Sequence, residues 1–80
     1  MAKKDISKAF AAEIRALRTE LGFSQEELAA RAGLHRNYVG MIERLERNPT
    51  LTAIEGLAKG LKTRPSDLIA NAQTRCGWQK

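Results

Sequence analysis

The sequence predicts an all-helical fold of about five short helices, and three observations carry that prediction. Apolar residues recur at three- and four-residue spacing along most of the chain. No stretch alternates convincingly with period two. Helix-start and helix-stop residues, among them Gly22, Ser24, Gly33, Thr50, Gly60 and Pro65, separate the periodic stretches. No internal repeat or low-complexity segment interrupts this order.

The first helix, over about residues 6–21, is marked by Ile6, Phe10, Ile14, Leu17 and Leu21 on one stripe, with Gly22 to end it. The second, about 24–32, starts at Ser24. Its hydroxyl can accept from the amide of Glu27 while the Glu27 carboxylate reaches back to the Ser24 amide, a capping box. Leu28, Ala29 and Ala32 share a face, and Gly33 can take the positive φ that turns the chain, with Leu34 sealing the turn. The third helix, about 35–45, points Tyr38, Val39 and Ile42 toward the second and leaves Arg36, Asn37, Met41 and Arg44 elsewhere. After the loop Asn48-Pro49-Thr50, Thr50 caps a fourth helix, about 50–60. It carries Leu51, Ile54, Leu57 and Ala58 inward and is stopped by Gly60, with Leu61 folding back. Pro65 suits the first turn of a fifth helix, about 65–73, because its missing N–H would be unpaired there. Asp67 complements the dipole and Leu68 and Ile69 are the apolar pair. Residues 74–80 read as a flexible tail.

Eighty residues make one small domain, assigned to residues 1–73. Fourteen Lys and Arg against nine Asp and Glu give a net charge of +5, which suits a polyanionic partner. One cysteine, Cys76, excludes an internal disulfide and fits a reducing compartment. No apolar run approaches the roughly 20 residues of a membrane span, and the opening MAKKDISK lacks the apolar core of a signal peptide, so the expected location is the cytoplasm. One histidine, no phosphate-loop glycine and lysine pattern and no His/Cys cluster argue against an enzyme, a cofactor and a metal. No segment is left over for a small-molecule sensor, so the protein's own concentration is the expected control variable.

The stretch from Gln25 to Arg44, QEELAARAGLHRNYVGMIER, resembles the helix-turn-helix of the phage-repressor, Cro-like family, also called the xenobiotic-response-element family. Ala29, Gly33 and Val39 fall on the family's small residue, glycine and branched apolar, with Leu28, Leu34 and Ile42 at its other core positions. The resemblance extends from about Ile14 to Ile69 and includes SQEELAARAGL, Ile42-Glu43-Arg44 and Arg47-Asn48-Pro49-Thr50. It implies a five-helix, lambda-repressor-like DNA-binding domain whose third helix enters the major groove of double-stranded DNA.

The start of that helix offers base-reading chemistry. Arg36 can donate twice to guanine and Asn37 can both accept from and donate to adenine; the resemblance adds Gly40 and Met41 one turn on. An interior glycine at 40 fits either a close approach of backbone to DNA or simple tolerance of a small residue. Gln25, Arg44, Arg47 and Asn48 correspond to family positions that meet phosphates. Tyr38 can pack with its ring or touch a phosphate with its hydroxyl. His35 stands where the family usually has a serine or threonine cap, and is either a surface residue or, protonated, a phosphate contact. Leu45 replaces the usual glycine, so the helix is expected to run on toward Arg47 before turning at Asn48.

The resemblance also implies an ion pair between Arg18 and Glu43, tying the first helix to the third. It further implies a homodimer on a roughly palindromic operator, as in restriction-modification controller proteins of similar size. Leu61, Leu68, Ile69 and Ala72 are the candidate interface, although Leu61 and Leu68 fit closure of the monomer core equally well. The competing function is that of an antitoxin or interaction module using the same fold to hold a partner protein.

Overall fold

The computed structural model describes residues 5–78; residues 1–4 and 79–80, with the start of the expected domain and the end of the expected tail, lie outside them. The described residues form five helices and no strand: α1 (Ile6–Glu20), α2 (Gln25–Ala32), α3 (Tyr38–Glu43), α4 (Leu51–Gly60) and α5 (Pro65–Cys76).

Side-chain caps start three of them. Asp5, Ser24 and Thr50 accept from the amides of Lys8, Glu27 and Ala53, each at 3.0 Å, which satisfies donors that the first helical turn leaves unpaired. The reciprocal half of the expected capping box is not made, because the Glu27 carboxylate accepts instead from Arg31 one turn on.

All five helices end in the same geometry, a left-handed residue followed by an amide that reaches back five residues. Gly22, Gly33 and Gly77 supply the positive φ at three ends, as their lack of Cβ allows. At the other two it falls on Leu45 (φ 63°) and Lys62 (φ 61°). The closing bonds are Phe23 N–H to Arg18 O, Leu34 to Ala29, Glu46 to Met41, Thr63 to Ala58 and Trp78 to Gln73, all 2.8–3.0 Å.

Three expectations change on this account. Leu45 does not let α3 run on; it takes the glycine conformation itself and ends the helix. Gly60 is not the stop of α4, which closes two residues later on Lys62. And α5 continues past residue 73 to Cys76, with Gly77 as its terminator, so residues 74–77 belong to the fold rather than to a tail.

The core is one cluster drawn from every helix: Phe10 and Ile14 of α1, Leu28 and Ala29 of α2, Val39 and Ile42 of α3, Leu57 and Ala58 of α4, Leu68 and Ala72 of α5. Here α1 lies on α5, α2 lies on α4, and α3 is wedged against α1 and α2. The α2–α4 crossing depends on small residues at four-residue spacing. A Cβ on Gly56 would collide with the Ala32 carbonyl oxygen, and one on Gly60 would sit 3.1 Å from Leu28 Cδ1. Across the other helix pair, the buried carboxylate of Glu13 accepts from Asn71 at 2.9 Å and from Arg75 at 2.7 Å.

Leu51, expected inward, is 85% exposed, because it occupies the first position of α4, ahead of the turn that faces α2. Ile6 and Leu21, at the two ends of the expected α1 stripe, are likewise exposed; the buried face of that helix is Ala9, Phe10, Ala11, Glu13 and Ile14.

Candidate nucleic-acid interface

The hinge between α2 and α3 sets everything on this face. Gly33 turns the chain, Leu34 tucks against the core, and residues 35–38 form a tight turn in which the Tyr38 amide donates to His35 O at 2.9 Å. His35 Nδ1 accepts from the Asn37 amide at 3.2 Å, doing for this turn what a serine or threonine oxygen does elsewhere. That bond needs Nδ1 unprotonated and leaves Nε2 as the donor. The helix itself is shorter than expected, beginning at Tyr38 rather than near residue 35, with Asn37 as its unassisted N-cap.

Behind α3 lies a buried charged network. Glu43 receives Arg18 in a two-pronged contact, Nε to Oε2 at 2.7 Å and Nη2 to Oε1 at 3.1 Å. The two side chains are only 12% and 4% exposed. Arg18 Nη1 also donates to Phe23 O at 2.8 Å, and Gln25 Nε2 donates to Glu43 Oε1 at 2.9 Å. Four segments are thereby tied together: the end of α1, the α1–α2 turn, the start of α2 and the end of α3. Such a pair resists being broken, since removing one partner leaves a desolvated charge.

Gly40 is explained by the same network. A Cβ there would lie 2.9 Å from Gln25 Oε1 and 2.9 Å from Arg44 Nη1. The glycine is buried beneath those two side chains and makes the room in which Gln25 reaches Glu43. This favours neither tolerance nor a bare backbone open to a groove, and it withdraws Gly40 from the residues placed to touch a base edge directly.

On the outer face, Arg36 and Asn37 are exposed in the turn that leads into α3, and Met41 is half-buried on the helix itself. Arg36 Nη2 donates to Glu26 Oε2 at 2.7 Å, with the two side chains 70% and 63% exposed. Arg44 donates through Nε and Nη2 to Glu46 at 3.0 and 3.2 Å. The hydrogen bond and charge of Glu46 raise the Arg44 pKa, and the hydrogen bond from Arg44 lowers that of Glu46. The Arg47 guanidinium lies 5.8 Å from the centre of the Tyr38 ring, and Tyr38 packs partly against the core. Beyond it, Asn48 is exposed and lines a groove with Ile6, Phe10, Pro49, Ile54 and Ile69.

Of the expected dimer residues, Leu61, Leu68 and Ala72 are buried within the single chain and are not available to a second copy. They close the α4–α5 side of the core. Only Ile69, 38% exposed, remains at the surface, where it borders a shallow groove with Leu51, Ile54 and Pro65.

Sequence reasoning did not single out Glu26 or Glu46 as partners of the outer arginines, nor the Glu13–Asn71–Arg75 clamp. Glu13 carried one legible signal, a lone charge on an otherwise apolar stripe. Glu26 carried none, because its partner lies ten residues away across a turn.

Comparison with known proteins agrees with this geometry. The helix-turn-helix family model matches residues 14–68. The chain is 45% identical over 65 residues to the control protein C.SmaI of Serratia marcescens, covering 81% of this chain and 77% of that protein. It superposes on the restriction-modification controller protein C.AhdI of Aeromonas hydrophila with a TM-score of 0.73, at 45% identity over 78% of this chain and 94% of the other. It is also similar to a restriction-modification controller protein solved bound to a 19 base pair DNA duplex, with a TM-score of 0.78, 30% identity, and coverage of 88% and 93%.

Proposed function

Because the chain belongs to the helix-turn-helix family, we propose that it is a sequence-specific, double-stranded DNA-binding transcriptional regulator of the controller-protein type. The observation that carries this reading is the contrast across α3. Its inner side is locked by Arg18, Gln25 and Glu43, while its outer side presents Arg36, Asn37 and Met41 with Arg44 and Arg47 at the far end. A helix held at a fixed angle with polar groups at its start is what reading a major groove requires. Arg36 and Asn37 read bases, with Met41 beside them. Gln25, His35 through Nε2, Tyr38, Arg44 and Arg47 contact phosphates and set register. A similar protein solved on a DNA duplex supports the same mode for this chain.

A titration against duplexes selected from a random pool, at several salt concentrations, tests the reading. We expect tight binding to a selected site and a steep fall with salt. Absence of binding, or binding indifferent to salt, rejects it. It would leave the protein-interaction alternative.

A single six-residue recognition helix covers few base pairs, so the protein is proposed to act as a symmetric dimer on two half-sites. Burial of Leu61, Leu68 and Ala72 moves the candidate contact to Leu51 and Ile69. Leu51→Asp and Ile69→Asp should each shift sedimentation at micromolar concentration toward the monomer; a wild type that is already monomeric on DNA refutes the dimer.

A further inference from the structure

The outer arginines that flank α3 are each held by a carboxylate, in two different ways. Arg44 meets Glu46 side-on through Nε and Nη2. Arg36 gives Glu26 a single donor, Nη2, at 2.7 Å. That leaves its Nη1 and Nε donors, and the second hydrogen on Nη2, for another acceptor. Glu26 belongs to α2, whose position is set by close packing on Gly56 and Gly60 of α4, so the carboxylate is mounted on a different and rigid element.

We propose that Glu26 is a specificity-determining positioning residue: it holds the Arg36 guanidinium in place for a base edge and keeps it from swinging to the nearest phosphate. The inference rests on the DNA-binding reading above. An arginine is long and flexible, and a free one on a basic surface serves any polyanion, because phosphate contacts carry no sequence information. A carboxylate on one Nη hydrogen restricts that freedom without using the pair of parallel donors that guanine N7 and O6 require. Its negative charge also disfavours close approach of a phosphate at this point. Glu46 carries the same charge, but it engages the side edge of an arginine assigned to phosphate contact, so its removal acts on every sequence alike. It therefore serves as the internal control.

The test compares wild type, Glu26→Gln and Glu46→Gln on a duplex selected by the wild-type protein and on the same duplex with the base pair read by Arg36 replaced. Glu26→Gln should tighten binding to the substituted duplex by up to about fivefold, the scale of an exposed ion pair, and tighten the selected duplex less. The preference at that base pair falls accordingly. Its salt slope on the substituted duplex should steepen by about one phosphate equivalent. In an Arg36→Ala background the same change should leave the preference untouched. Glu46→Gln should strengthen both duplexes alike. Equal strengthening of both duplexes by Glu26→Gln, or no change in either, overturns the proposal. A wild-type protein that selects no duplex overturns the DNA-binding reading itself. Unchanged thermal unfolding of both variants separates these outcomes from misfolding.

Discussion

The two sides of α3 use the same pair of residue types to opposite ends. On the inner side Arg18 and Glu43 are almost fully desolvated, doubly bonded to each other, and joined by Gln25 and the Phe23 carbonyl. On the outer side Arg36–Glu26 and Arg44–Glu46 have comparable contact distances but stand in water. Distance therefore does not distinguish scaffold from binding surface here; depth does. A buried pair has no solvent to fall back on and so fixes an angle, whereas an exposed pair exchanges partners at small cost and stays available to a ligand.

The largest expected effect tests the inner side. Glu43→Ala should cost about 3–5 kcal/mol in urea unfolding by leaving Arg18 buried without its carboxylate. Arg36→Ala should cost less than about 1 kcal/mol. Replacing both Arg18 and Glu43 with apolar residues of similar size should recover much of the loss; equal losses from the inner and outer single variants would erase the distinction.

Glycine sharpens the contrast next. Gly56→Ala places a Cβ against a backbone oxygen of α2 and should destabilise by about 1–3 kcal/mol. Gly40→Ala meets only the movable ends of Gln25 and Arg44, so thermal melting should register it within about 1 kcal/mol. Its mark should be on DNA affinity, through displacement of Gln25.

The helix ends give a smaller effect of opposite sign. Lys62 is exposed and left-handed, and Lys62→Gly should stabilise by about 1 kcal/mol, raising the melting temperature by roughly 4–8 °C for a domain this size. Leu45→Gly should gain less, because the Leu45 side chain borders α1 beside Ala11, Ala12 and Arg15. A larger gain at Leu45 would mean that its side chain contributes nothing to holding the end of α3.

The smallest effect belongs to Glu46. Arg44 holds its folded-state pKa below the ordinary 4.5. A group depressed in this way contributes above its unfolded pKa, and that contribution disappears as pH falls through the lower folded value. Because the pair is fully exposed, added salt should move the Glu46 titration, followed by carboxyl NMR, back toward 4.5. A pKa at the ordinary value already in low salt would remove the outer pair from the comparison.

Much of the fold and part of the site was legible in the residues themselves. Ser24, Gly33 and Thr50 act on their own immediate neighbours, so the hinge and two helix starts follow from local chemistry. Helical period leaves Arg36 and Asn37 outward, whereas the structure exposes them by another route, the turn that precedes Tyr38. Leu61, Leu68, Leu51 and Gly60 show the limit. Periodicity says that a residue lies on an apolar face, but whether that face meets its own chain or solvent depends on which helix lies opposite.

The sequence by itself determined the five helical segments, the sharp turn at Gly33 and the separation of α3 into an apolar and a polar face, because caps, positive φ and helical period act within a few residues. The tertiary structure alone decided that Leu45 and Lys62 adopt a glycine conformation, that Gly40 shelters Gln25, and that Glu26 reaches Arg36. Each of these depends on groups brought together across a turn or from another helix, where packing outweighs local preference.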